Sequence, residues 1–302
     1  MKSIGAKMAA VFAVVVGIAV SALAAEPAKD GVAVRMLTWN IQMLPTLLDA
    51  YSDSLQKMQN ERLPWIVEFL SRADYDVVCL QEVLDPIITP RLIEGLRKTY
   101  PHIVEPQFAP EGRLLSSGVM FAARFPIKLV AFACYKQAAS EDALASKGCT
   151  LVEGEKDGVK FQMAGTHLQA GHQDVRGTQY VEMGERILRP NRHEGMPQFL
   201  MGDFNTGREG GDRERYAALI RATGMSDAPV DDPVPYSVDN TNSWKRHQEN
   251  PELIDYVLFN PCGTGSTVKR LTIQRPRHTM DDGRVIDLAD HYGVIADTVA
   301  KN

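Results

Sequence analysis

Six oxygen donors and two imidazoles stand out along this chain: Asn40, Glu82, Asp203, Asn205, Asp255 and Asp290, with His167 and His291. Hard oxygen ligands suit Mg²⁺ or Ca²⁺, and Mg²⁺ commonly works with few protein carboxylates plus a substrate phosphate. Imidazole adds an acid, a base or a stabiliser of charge. Cleaving a phosphodiester needs a cation to neutralise the anion, a base to activate water, and donors for the developing charge. This set can supply all three. Taken singly, each residue is weak, because Asp and Asn at strand ends are most often turn formers. Recurrence changes the balance: five strand-like runs in one chain each end in such a group. In QFLMGDFNTG (198–207) the spacing of two puts Asp203 and Asn205 on one face of an extended chain, and Gly202 is expected to leave room for a phosphate to approach.

The elements that must position these groups are short apolar runs. AVRMLTWNIQ alternates as a strand and carries Asn40; ADYDVVCLQEV is a buried strand ending at Glu82. SSGVMFAARFPI, VKFQMAGTHLQAG with His167, QFLMGDFN, ELIDYVLFN and ADHYGVIADTV read as further strands. Helical spacing marks ERLPWIVEFLSRA, QYVEMGERILRP and RERYAALIRATGM, the last ending at Gly224. ITPRLIEGLRKTYP reads as a helix with Thr89 as its cap and Pro90 at its first position. Residues 226–252, rich in Pro, Asp and Asn, read as a long surface loop. Strands alternate with helices, yet several follow one another directly. That pattern predicts an α/β fold of two packed sheets with helices outside, in place of one singly wound parallel sheet.

The first residues do not belong to that fold. Lys2 and Lys7 precede the apolar run MAAVFAVVVGIAVSALA, and Ala22-Leu23-Ala24 offers a small-residue cleavage site. This is the anatomy of a secretory signal peptide over residues 1–25, followed by a linker at 26–34 and one catalytic domain at 35–302. The protein is expected to be exported, to a periplasm or beyond it. Without Lys2 and Lys7 the 33 basic residues become 31 against 38 acidic, a net charge near −7 that discourages nonspecific binding of nucleic acid. VKRLTIQRPRH is locally basic, through Lys269, Arg270, Arg275 and Arg277, and reads equally as a solvated surface strand. Of four cysteines, Cys79 reads as a buried thiol, while Cys134 and Cys149 flank a polar loop and are expected to pair in an exported protein. No CxxC or Cys/His cluster suggests structural zinc.

The series TWNIQMLP, CLQEV, GTHLQAG, MGDFNTG, LIDYVLFN and ADHYGV, in that order, resembles the endonuclease/exonuclease/phosphatase superfamily over nearly the whole chain. The resemblance implies a four-layer α/β/β/α sandwich, two mixed sheets packed face to face, with the site at the rim where these strands end. By position, Glu82 would be the principal Mg²⁺ ligand (with Mn²⁺ or Co²⁺ as substitutes), Asn40 a nearby one, and Asp290 would complete the metal site. His291 would be the general base, oriented by Asp255; Asp203 would position or help deprotonate the water. Asn205 would hold a phosphate oxygen and His167 would stabilise the transition state.

Three details resemble secreted bacterial neutral sphingomyelinases within that superfamily: NIQMLP, GTHLQA followed by Arg176 and Gln179, and DALASKG. In the last, Asp142 and Lys147 match an Asp–Lys pair beside the substrate phosphate, although Lys147 alone also reads as a solvated loop lysine. The resemblance implies a Mg²⁺-dependent hydrolase acting on phospholipid at a membrane surface, with no obligate protein partner. The aromatic hairpin of that branch is missing from VKRLTIQRPRHTMDDGRVIDL, which has no Trp or Phe. Docking would therefore use Leu271 and Ile273, or the loop with Tyr236 and Trp244. The alternatives are a secreted nuclease with the same chemistry, for which nucleic acid would be the partner, and an inactive binding module. An inositol-polyphosphate phosphatase fits less well, since LIDYVLFN lacks that branch's Cys-Asp-Arg strand.

Overall fold

The computed structural model describes residues 31–45, 53–109, 112–245 and 250–302; the expected signal peptide lies outside them. Strand alternation builds the first sheet. In β1 (Val32–Met43), Val32, Val34 and Met36 face one way and Leu37, Trp39, Ile41 and Met43 the other, and both sets are buried. A strand apolar on both faces must be covered on both. The odd-numbered set packs beneath α1 (Asp53–Arg72) and α2 (Ile88–Arg97), against Leu63, Ile66, Leu70, Leu92 and Leu96. The even-numbered set faces the second sheet.

β1 is joined by β2 (Val77–Val83), β3 (His102–Val104), β4 (Met120–Ala123), β10 (Thr267–Gln274) and β13 (Gly293–Ala300), in the order β10-β13-β1-β2-β4-β3. The second sheet runs β5-β6-β7-β8-β9: Ile127–Cys134, Gly148–Lys156, Val159–His167, Gln198–Asp203 and Asp255–Asn260. Each sheet mixes parallel and antiparallel pairs. Met36, Val77, Cys79 and Phe121 from the first sheet meet Leu151, Met163, Phe199 and Val257 from the second in one core, which extends to Tyr180 and Met183 of α3 (Gln173–Met183) and Leu219 of α4 (Arg213–Thr223). The fold is the expected four-layer sandwich.

Several local expectations change. β1 begins at Val32, inside the residues read as linker, because Val32 and Val34 pair with Ala300 and Thr298 of β13. Asp85, not Thr89, caps α2: its Oδ1 accepts the N–H groups of Ile87 and Ile88 at 2.7 and 2.9 Å. Thr89 lies within the helix and bonds back to the Asp85 carbonyl. Gly224 does end α4 as read, in the left-handed conformation with φ +64°. Among the described residues, 226–245 and 250–252 carry no helix or strand, but Ser237, Val238, Asp239 and Asn242 are buried, so this segment is structural as well as superficial.

Cys134 and Cys149 form no disulfide. They sit one residue out of register on adjacent strands, with Ala133 opposite Cys149, so their side chains leave on opposite faces. Leu271 and Ile273 are buried and cannot dock to anything. The region expected to lack an aromatic hairpin forms a short two-stranded hairpin without Trp or Phe, β11 (Arg277–Thr279) with β12 (Val285–Asp287). Its turn is polar, and His278 stacks on Trp65 of α1 with ring centroids 3.8 Å apart.

Candidate active site

Strand register does most of the assembly. His167 ends β7 directly opposite Asp203 of β8, and Asp203 lies opposite Asp255 of β9. Paired residues on neighbouring strands share a face, so these three form a row pointing into the gap between the sheets. Asn40 enters from the first sheet on the same face of β1 as Val34 and Met36, and its Nδ2 donates to Asp203 Oδ2 at 3.1 Å. His291, just before β13, donates from Nδ1 to Asp255 Oδ2 at 2.8 Å and has Asp203 Oδ2 at 3.8 Å. Trp39 Nε1 holds the His291 carbonyl at 2.9 Å.

Gly202 makes this row possible, though not by admitting a phosphate. With φ +153°, a Cβ there would lie 2.0 Å from the Thr166 carbonyl oxygen, so the missing side chain lets β7 close on β8. Asn205 likewise reaches the site by a different route from the one its spacing suggested. β8 ends at Asp203, and Asn205 turns in with φ +47° while its N–H donates to Asp203 Oδ1 at 2.9 Å. Its amide then donates to the Leu168 carbonyl at 3.0 Å. The turn and the site are the same feature.

Glu82 needs a distortion. Alternation along β2 would send it with Val78 and Leu80 under the helices. Instead a bulge falls between the pairs Asn40–Gln81 and Met43–Val83, with Gln42 at φ +51° and Glu82 at φ +57°. Such bulges re-aim side chains beside active sites, and left-handed non-glycine residues cost on the order of 1 kcal/mol each. Arg62, which its sequence context marks only as part of a helix, secures this bulge. Its buried guanidinium donates to the carbonyls of Ile41, Gln42 and Leu288 at 3.2, 2.8 and 2.7 Å. Burial lowers its pKa to about 10 although Asp290 and Glu82 oppose that.

Lys147 is buried, which removes the reading of a solvated loop lysine. Its Nζ lies 2.6 Å from Asp142 Oδ1 and 3.1 Å from His167 Nε2, and it donates to the Leu168 carbonyl at 3.2 Å. Asp142 also accepts the Ala170 N–H at 2.8 Å. Burial first, and then the Lys147 charge, lower His167 to a pKa of about 4, so this imidazole is neutral at physiological pH. His291 goes the opposite way. Burial alone would keep it neutral, but Asp255, Asp203 and Asp290 together outweigh that and raise it to about 10.

Two carboxylates face this system. Burial, then the neighbouring Asp290, push Glu82 up to about 7. Asp290 Oδ1 is buried without a partner, while Oδ2 pairs with Lys245 Nζ at 3.1 Å. Like charges held together, an orphaned carboxylate oxygen and hard donors fit a divalent cation such as Mg²⁺. Asn40 stands beside them but presents its NH₂ group to the carboxylates, its oxygen accepting the Gln42 N–H at 3.1 Å. In this arrangement it orients the expected ligand Glu82, and Asp203 beside it, more than it acts as a ligand. Asp203, Asp255 and His291 also cluster at ligand spacing. There, however, His291 Nδ1 is already hydrogen-bonded to Asp255, with Asp203 a nearby charge at 3.8 Å, so the group reads as an Asp255–His291 relay. Nothing in its sequence surroundings marked Lys245. A cavity of about 1060 Å³ lies beside the row, lined by Gly207, Tyr216, Tyr236 and Leu253, and contains none of the ten expected site residues.

Comparison with known proteins bears on this geometry. Sphingomyelinase C 2 of Leptospira interrogans is 24% identical over 77% of this chain, and sphingomyelin phosphodiesterase 5 of Danio rerio 31% identical over 49%. The chain spans only 40% and 31% of the lengths of those two relatives. Among solved structures, sphingomyelinase C from Streptomyces griseocarneus superposes with TM-score 0.73 at 21% identity, covering 88% of this chain and 99% of that one. A Staphylococcus aureus beta toxin variant with bound magnesium ions gives 0.75 at 18%, covering 89% and 100%. Residues 37–275 match the model of the Endonuclease/Exonuclease/phosphatase family. The protein belongs to that family.

Proposed function

We propose that this protein is an exported Mg²⁺-dependent phosphodiesterase that hydrolyses sphingomyelin to ceramide and phosphocholine at a membrane surface. The observation that carries the reading is the cluster in which Lys147 and Asp203 meet at His167 Nε2, with Asp142 holding Lys147 and the His291–Asp255 pair alongside. The relatives named as sphingomyelinases support the lipid substrate.

Each residue has work that its geometry suits. Asp255 engages His291 Nδ1 and leaves Nε2 for the attacking water; the three carboxylates keep this ring charged, and it would accept the water proton once a cation at Glu82 and Asp290 offset part of their charge. The water oxygen bonds to phosphorus, the bond from phosphorus to the ceramide oxygen breaks, and that oxygen leaves as the alcohol after taking up a proton. Lys147 Nζ and Asp203 Oδ2 both lie against His167 Nε2, at 3.1 and 3.4 Å, and the neutral ring they hold would stabilise the transition state. The Asn205 amide, fixed by Leu168 and Asp203, is placed to orient the phosphate. Glu82 and Asp290 would hold the cation, which neutralises phosphate charge as the leaving group departs.

The test offers purified protein sphingomyelin vesicles and plasmid DNA in parallel, with Mg²⁺ and with EDTA. Metal-dependent phosphocholine release without DNA nicking is expected. Nicking without lipid cleavage would replace the lipid with a nucleic acid and retain the site chemistry; neither reaction would overturn the catalytic reading.

A further inference from the structure

Lys245 belongs to no strand or helix, yet its backbone is fixed. Ser243 donates from N and Oγ to Asp287 Oδ2 at 2.8 and 2.9 Å, and Trp244 Nε1 donates to the Asp287 carbonyl at 2.8 Å. Asn242 Nδ2 donates to the Ala289 carbonyl at 3.0 Å, and Lys245 N donates to Asn242 O at 3.1 Å. The Arg62 guanidinium lies 5.3 Å from the centre of the Trp244 ring. This short strap is thus tied, through the three residues before Lys245, to the segment that leads into Asp290. Its lysine side chain is still one-third exposed (33%), so the ammonium can leave Asp290 for solvent without unfolding the strap.

We propose that Lys245 is an internal counter-cation of Asp290 that competes with the divalent cation and so sets the concentration at which the metal site fills. The geometry carries this. One oxygen of Asp290 is taken by Lys245 and the other is buried and unpartnered. A dication held by Asp290 and Glu82 would have to share Asp290 with the Lys245 ammonium, and like charges repel strongly where little water screens them. Either the ammonium swings out or the cation binds against it; in both cases the lysine weakens binding. Once displaced, the same ammonium stands beside the site as a cation for a substrate phosphate. The inference rests on the reading of Glu82 and Asp290 as the cation site.

The experiment is calorimetric titration of the full protein with Mn²⁺, without substrate, for wild type, Lys245→Met, Lys245→Arg and Glu82→Gln. Lys245→Met is expected to bind Mn²⁺ at least tenfold more tightly than wild type, Lys245→Arg within threefold of it, and Glu82→Gln at least tenfold more weakly. Equal or weaker binding by Lys245→Met, with Glu82→Gln still impaired, overturns the role of Lys245 and leaves the metal site standing. Absence of Mn²⁺ binding by the wild type, or full binding by Glu82→Gln, overturns the site and the inference together. Should Lys245→Met fail to fold, Lys245→Gln removes the same charge and carries the same expectation.

Discussion

Asp255→Asn keeps the shape of the side chain that holds His291 and removes its charge. The rise of the His291 pKa from 6.5 to about 10 corresponds to about 5 kcal/mol favouring the imidazolium, achieved by three carboxylates against burial. Asp255, at 2.8 Å, is the largest contributor and Asp203, at 3.8 Å, the next. Assigning Asp255 about half of that total, the variant returns His291 to a pKa near ~8. The new amide can also offer an N–H to Nδ1, which would force the imidazole into the wrong tautomer. The turnover rate should then fall by roughly a thousandfold or more. Two assays check this: phosphocholine release as a function of pH, and NMR titration of His291 in metal-free protein.

Stability should follow. A histidine whose folded pKa is raised stabilises the fold fully below its unfolded value of 6.5, and that contribution is lost as pH rises towards 10. Wild type should therefore lose stability over that window, and Asp255→Asn distinctly less. Activity within tenfold of wild type, together with an unchanged His291 titration, would refute the relay.

Gly202→Ala places a Cβ 2.0 Å from the Thr166 carbonyl oxygen at φ +153°, and should cost at least about 3 kcal/mol, seen as a fall in Tm of roughly 10 °C. A fall under about 2 °C would show that β7 and β8 can separate freely. Lys147→Met removes the cation beside His167, so the His167 pKa should rise from about 4 yet stay below 6.5, since burial is the larger cause; activity should drop about a hundredfold. An unmoved His167 titration would break the Asp142–Lys147–His167 link. In wild type, the unfolded chain takes up a proton at His167 that the fold refuses. Stability should therefore decline by about 3 kcal/mol as pH falls from 6.5 to 4, measurable by urea unfolding.

Much of the architecture was legible because strand and helix periods are local properties. The alternation in AVRMLTWNIQ, the helical spacing of ERLPWIVEFLSRA and the glycine after RERYAALIRAT each fix an element without reference to the rest of the chain. Ending one strand after another in Asn, Glu, His or Asp told which groups could meet, since strand ends in a sandwich share a rim. The expectations that failed turned on register, capping geometry or burial, which residue type alone does not show. Cys134 and Cys149 looked like a bridge until β5–β6 register put them on opposite faces. Thr89 looked like a cap until Asp85, four residues earlier, took the orphan amides. Leu271 and Ile273 looked available to a membrane, and are buried.

The chain by itself determined the inventory: which side chains can bind a hard cation, move a proton or orient a phosphate, and on which strands they ride. Only the tertiary structure decided their condition. It set the bulge that turns Glu82 away from the helices, the burial that holds His167 neutral, the three carboxylates that charge His291, and the strap that lays Lys245 on Asp290. The reason is physical. Residue type is a local property, whereas protonation, orientation and charge competition depend on which groups lie within a few ångströms and how much water lies between them. Those distances join residues as far apart as Asn40 and Asp203, or Trp39 and His291, and exist only once both sheets have closed.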